Sequence, residues 1–147
     1  MTGKSDFTPE EWELVREGPP TAALMAMTAE KGGSFRESWA LAKAYTEARQ
    51  AHGDNELLDA LVCEKPDLKR YKTPEELDAQ GLGRLTEAVA LLEQKATAAE
   101  VDAYRKFALD VAQRVAAAHK EGGQPVSDAE QAAIARVESS LYPSGSA

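Results

Sequence analysis

At 147 residues the chain suits one domain with a single core that buries about 70% of the surface the unfolded chain exposes. Its 25 acidic and 17 basic residues give a formal charge of -8, a field that repels nucleic acid and anionic membranes and favours cations or basic partners. Cys63 is the only cysteine, which excludes an intrachain disulfide and a cysteine metal cage and fits a cytoplasmic setting.

Met1 to Pro20 is polar and acidic, without the apolar segment of a signal peptide. The longest apolar run, Ala22 to Met27, falls far short of the roughly 20 residues that span a bilayer, so neither export by a signal peptide nor membrane insertion is expected. After a flexible Met1 to Asp6, Thr8 caps a helix that Pro9 opens, where the missing N–H costs nothing. Glu11 completes a capping box with Thr8, and Phe7 staples onto Trp12. Gly18-Pro19-Pro20 reads as a stop, dividing a helix over Pro9 to Glu17 from another over Pro20 to Lys31. Gly32-Gly33 ends the second, and Ser34 with Glu37 opens a third that runs to about His52 and is marked by Phe35, Trp39, Ala42 and Tyr45. A short helix over Asn55 to Glu64 precedes Pro66 and a charged loop, Lys65 to Lys72, which holds the one basic patch: Lys65, Lys69, Arg70 and Lys72 around Tyr71. A solvated loop explains that patch best.

Thr73 and Glu76 frame another box, with a helix over Pro74 to Gln80 that Gly81 stops. Leu82, Leu85, Val89 and Leu92 mark the next helix. Thr97 and Glu100 open a long central one, whose buried stripe is Val101, Tyr104, Ala108, Val111, Val115 and Ala118. Ser127 and Glu130 open the last, lined by Ile134, Val137 and Leu141 and closed by Pro143, after which the tail is flexible. No β-branched alternation reaches a strand's length. The expectation is one all-α domain over 1–147, a compact bundle of seven to eight helices.

Few side chains suggest chemistry. His52 and His119 each precede a glycine at a helix end, where a protonated imidazole complements the dipole, and no histidine metal spacing exists. Cys63 reads as a small buried hydrophobe, and Trp12 and Trp39 as core anchors. Gly81-Leu82-Gly83 follows no strand and so cradles no phosphate.

Two turns echo one another: Glu30-Lys31-Gly32-Gly33-Ser34 leading to Glu37, and Glu121-Gly122-Gly123-Gln124-Pro125-Val126-Ser127 leading to Asp128 and Glu130. Helix exits favour glycine and entries favour Ser with Glu three residues on, so local capping accounts for the echo. If both turns share one end of the bundle, Glu30, Glu37, Glu121, Asp128 and Glu130 could instead gather around a hard cation such as Ca²⁺ or Mg²⁺. The opening Phe-Thr-Pro-Glu-Glu-Trp helix, the Ala-rich second helix ending in Gly-Gly with Glu37 following, and the closing Gly-Gly-Gln-Pro-Val-Ser-Asp-Ala-Glu turn resemble the tellurite-resistance protein B-like (TerB-like) family. The family has Asp-Gly at the first turn, where this chain has Glu30-Lys31-Gly32-Gly33. The resemblance implies about seven helices in two related halves, divalent metal at the acidic turns, and a role in bacterial chemical stress beside membrane-associated partners. Its strongest matches are Glu37 and Glu130. The expected function is a non-enzymatic acidic helical binding or scaffold module with a divalent cation at the paired turns. The first alternative is a metal-free protein-interaction domain. A carboxylate-dependent helical enzyme ranks last, because nothing pairs these carboxylates with a nucleophile or base.

Overall fold

The computed structural model describes residues 4–28, 35–50, 56–63, 74–121 and 128–142, all helix or turn, with no strand among them. A 3₁₀ turn, Lys4–Asp6, leads to α1 (Pro9–Thr28), α2 (Phe35–Gln50), α3 (Glu56–Val62), α4 (Pro74–Glu76), α5 (Leu82–Lys95), α6 (Ala98–Glu121) and α7 (Asp128–Leu141). Each of the five Ser or Thr residues with Glu three positions on is followed directly by a helix: Pro9, Phe35, Pro74, Ala98 and Asp128 begin α1, α2, α4, α6 and α7. The hydroxyl-and-carboxylate pattern locates helix starts because it supplies partners for backbone N–H groups that have none within the first turn.

Two expected stops are not stops. Gly18-Pro19-Pro20 lies inside α1, and Gly81 joins α4 to α5 through a π turn, Leu77–Gly81. The described chain therefore forms six helical stretches rather than seven or eight. At Gly81 the backbone is right-handed, φ -60° and ψ -46°, so nothing turns the chain out of the helix. The glycine serves close approach instead: a Cβ there would lie 3.0 Å from Cγ2 of Thr21 and 3.1 Å from Cδ1 of Leu77. At Pro19 the helix continues because another helix replaces the missing donor. The hydroxyl of Tyr104 donates to the carbonyl of Val15, four residues before Pro19, at 2.7 Å.

α1 packs against α5, α6 and α7, while α2 lies on α6 and α3 on both α2 and α6. Val101, Tyr104, Ala108, Val111 and Val115 of α6 are buried as their spacing predicts, as are Leu85, Val89 and Leu92 of α5. Trp12 anchors the start of α1 against Phe7, ring centroids 5.6 Å apart. On α2 the buried face is Leu41, Ala44 and Tyr45; Ala42, expected on that stripe, is exposed. Cys63 is likewise exposed rather than buried, because α3 ends at Val62 and the thiol sits one residue beyond the face of Leu57 and Leu61. No helix among the described residues is long and apolar enough to cross a membrane. The basic patch over Lys65 to Lys72 and His52 lie outside the described residues, as do the side chains of Trp39, Ala118 and His119.

Candidate functional site

Helix direction decides whether the two glycine turns can meet. Lys95, just before α6, donates to the Asp6 carbonyl at 3.1 Å and to Glu11 at 2.8 Å near the start of α1, and Tyr104 further along α6 reaches Val15 further along α1. α1 and α6 thus run side by side in the same direction, and their C-terminal ends, Thr28 and Glu121, point to one pole. α7 returns antiparallel to α6, since Arg105 near the start of α6 donates to the Leu141 carbonyl at the end of α7, 2.8 Å away. Asp128 and Glu130, at the start of α7, therefore belong to the same pole as Glu121.

Of the five candidate ligands, Glu30 lies outside the described residues. Glu37 is in the first turn of α2 and Glu121 is the last residue of α6, both with side chains outside the described residues. Asp128 is exposed, whereas Glu130 is fully buried. Residues two apart on a helix do not face each other, and the structure points this pair apart, one to solvent and one inward. Among the described residues no three His, Cys, Asp or Glu side chains cluster as a metal site.

Two other helix starts reveal what such a Glu does locally. Thr8 N–H donates to Oε1 of Glu11 at 2.9 Å while Glu11 N–H donates to the Thr8 hydroxyl at 3.1 Å. Thr97 and Glu100 exchange the same two bonds at 3.1 Å each, and Glu100 is buried at 5% exposure. A carboxylate three residues after a capping hydroxyl can thus be withdrawn from solvent while it bonds the backbone of its cap. Glu11 is also held below the usual carboxylate range, chiefly by its bond from Lys95 and then by the Thr8 N–H.

No family model matches the chain, and neither does any curated protein or solved structure. Away from the pole, Leu82, Thr86, Ala135, Arg136, Ser139 and Ser140 line a groove of about 360 Å³ between α5 and α7. It is open and carries no carboxylate, and the Thr86 hydroxyl is engaged with the carbonyls of Leu82 and Ser140 at 3.2 and 3.1 Å. Sequence reading missed three interior polar groups. Glu17 pairs with Arg84 at 2.7 Å, the hydroxyl of Tyr104 bonds Val15, and the Tyr45 hydroxyl is buried with no hydrogen-bond partner among the described residues. Burial raises both phenols above their usual range. Only the first had a sequence signal, opposite charges on two amphipathic helices, and that signal is too common to single out a pair.

Proposed function

We propose that the protein is a non-enzymatic, acidic, helical binding or scaffold module of tellurite-resistance B-like type, holding a hard divalent cation, Ca²⁺ or Mg²⁺, at the pole of the two glycine turns. The observation that carries the reading is the fully buried carboxylate of Glu130 at the pole to which α1 and α6 both direct their C-termini. A hard cation takes six or more oxygen ligands, and two turns rich in carboxylates and backbone carbonyls offer that chemistry. On this reading the turns are corresponding points of two related halves, Glu37 joins Glu130 as the principal ligand, and Glu30 and Glu121 complete the set, while Asp128, exposed and turned away from Glu130, stands outside it. The partner is a protein, membrane-associated and engaged from the cytoplasm during chemical stress, and a net charge of -8 suits a basic face on it.

Calorimetric titration with Ca²⁺ and Mg²⁺, paired with thermal melts, tests this on the wild type and on Glu37→Gln and Glu130→Gln. Gln also completes a capping box, so both variants should fold normally without metal yet lose the heat and the metal-induced rise in Tm. Saturation near 100 times Kd should stabilise the wild type by about 2.7 kcal/mol. No heat and no rise in Tm at millimolar metal would overturn the cation. A metal-free protein-interaction domain is then the better reading, and it has its own supporting observation in Glu100, a buried carboxylate that serves as a helix cap.

A further inference from the structure

A buried hydroxyl without a partner costs free energy, so protein interiors give such a group a hydrogen bond or a bound molecule. Tyr45 is 2% exposed, and its hydroxyl has no hydrogen-bond partner among the described residues. Its ring meets Phe107 edge-on, centroids 5.3 Å apart and planes at 63°. Phe107 follows Tyr104 by three residues on α6, so the two lie on one face of that helix. Tyr104 in turn donates to the Val15 carbonyl at 2.7 Å, which brings α1 at Val15 and Arg16 to the same place. α2 adds Arg49, one turn after Tyr45 on the same helix face. The Nε of Arg49 donates to the Val62 carbonyl at the end of α3, and its guanidinium has no further bond among the described residues. Burial raises the ionisation of the Tyr45 phenol, and Arg16 and then Arg49 act against that rise, so two guanidinium groups lie within electrostatic reach of a hydroxyl that stays protonated. Glu17, the carboxylate that acts on neighbouring Tyr104, is paired with Arg84 at 2.7 Å.

We propose that Tyr45, Arg16 and Arg49 form a binding site for a small oxyanion beside the C-terminal half of α2. The phenol O–H lies at its floor, and the two half-buried guanidinium groups present planar forks that match the oxygens of a phosphate or a carboxylate. Bonds from such donors strengthen when the acceptor is charged, which favours an anion over a neutral ligand. A cation gains nothing from this set, so the site is independent of the divalent ion proposed at the pole.

Titration calorimetry and thermal melts of the full chain, with sodium phosphate or acetate compared against chloride of equal ionic strength, test this. The wild type should give a saturable heat with at least one of the two, phosphate for a tetrahedral ion and acetate for a planar carboxylate. At ten times its Kd that ion should shift the folding equilibrium about tenfold. Tyr45→Phe keeps the ring and loses the donor. In chloride it should be at least as stable as the wild type, and it should bind the ion about tenfold more weakly, the effect of one lost hydrogen bond to a charged group. Arg49→Gln should weaken binding by about tenfold or more, whereas Lys43→Gln, which removes an exposed cation from the same helix, should leave it unchanged. No saturable heat with either ion, or equal stabilisation of wild type and Tyr45→Phe by phosphate and acetate, overturns the site. If Tyr45→Phe does not fold, the other pair decides: equal affinities in Arg49→Gln and Lys43→Gln overturn it.

Discussion

A threonine hydroxyl and a carboxylate three residues on each satisfy a backbone N–H that the helix cannot, which is why Thr8 and Thr97 were legible as helix starts before any tertiary contact was known. At Thr8 the cap is joined to tertiary structure: Lys95 donates to Glu11 and to the Asp6 carbonyl and lies 5.5 Å from the centroid of the Phe7 ring. Thr8→Ala should therefore cost about 1 kcal/mol in chemical denaturation. Glu11 and Glu47 have carboxyls lowered from 4.5, chiefly by bonds from Lys95 and Arg114 respectively. A lowered carboxyl stabilises above its unfolded value and loses that contribution as pH falls through the folded one. The stability difference between wild type and Glu47→Gln should thus be present at neutral pH, shrink as pH drops below 4.5, and weaken with salt, because both carboxylates face solvent. Exposure was less legible than capping. Cys63 and Ala42 both lie in apolar runs yet face outward, since a helix end and the choice of partner helix set which side is covered.

At the level of the helix, local rules fail where a distant residue supplies what the local chain lacks. Pro19 and Pro20 lower helix stability in any isolated segment by about 3 kcal/mol each, and that penalty made a stop at Gly18 the natural expectation. The compensating donor is Tyr104, 89 residues from Val15, and no local pattern announces it. Gly18→Ala offers a sharp check, because in an ordinary helix the change is stabilising by about 0.5–1 kcal/mol. Here the added methyl would collide with a buried phenol, so the expected sign is reversed, a loss of about 1–3 kcal/mol by denaturant unfolding. Gly81 failed as a stop for the same kind of reason, its lack of a side chain answering to Thr21 on another helix.

Across the described residues, helix period alone carried the fold class, because the apolar stripes repeat at helical spacing and most of those of α5, α6 and α7 lie in the core. The assembly was not legible: that α1 and α6 run in parallel, bringing their C-terminal ends to one pole, depends on contacts between residues far apart in sequence. For the candidate ligands the sequence supplied residue types and spacing, but the inward turn of Glu130 and the outward turn of Asp128 follow from how α7 is laid against the bundle. The same arrangement shapes how the chain acquires its fold. α1 precedes its main partners α5, α6 and α7 in the chain, so its apolar face lacks their cover until the second half of the described residues has been synthesised. At roughly 5–20 residues per second that interval lasts several seconds, long compared with helix formation itself. Many of its contacts close large loops, so α1 is fixed in place at a higher loop-closure cost than in a bundle whose helices pair only with their neighbours in sequence.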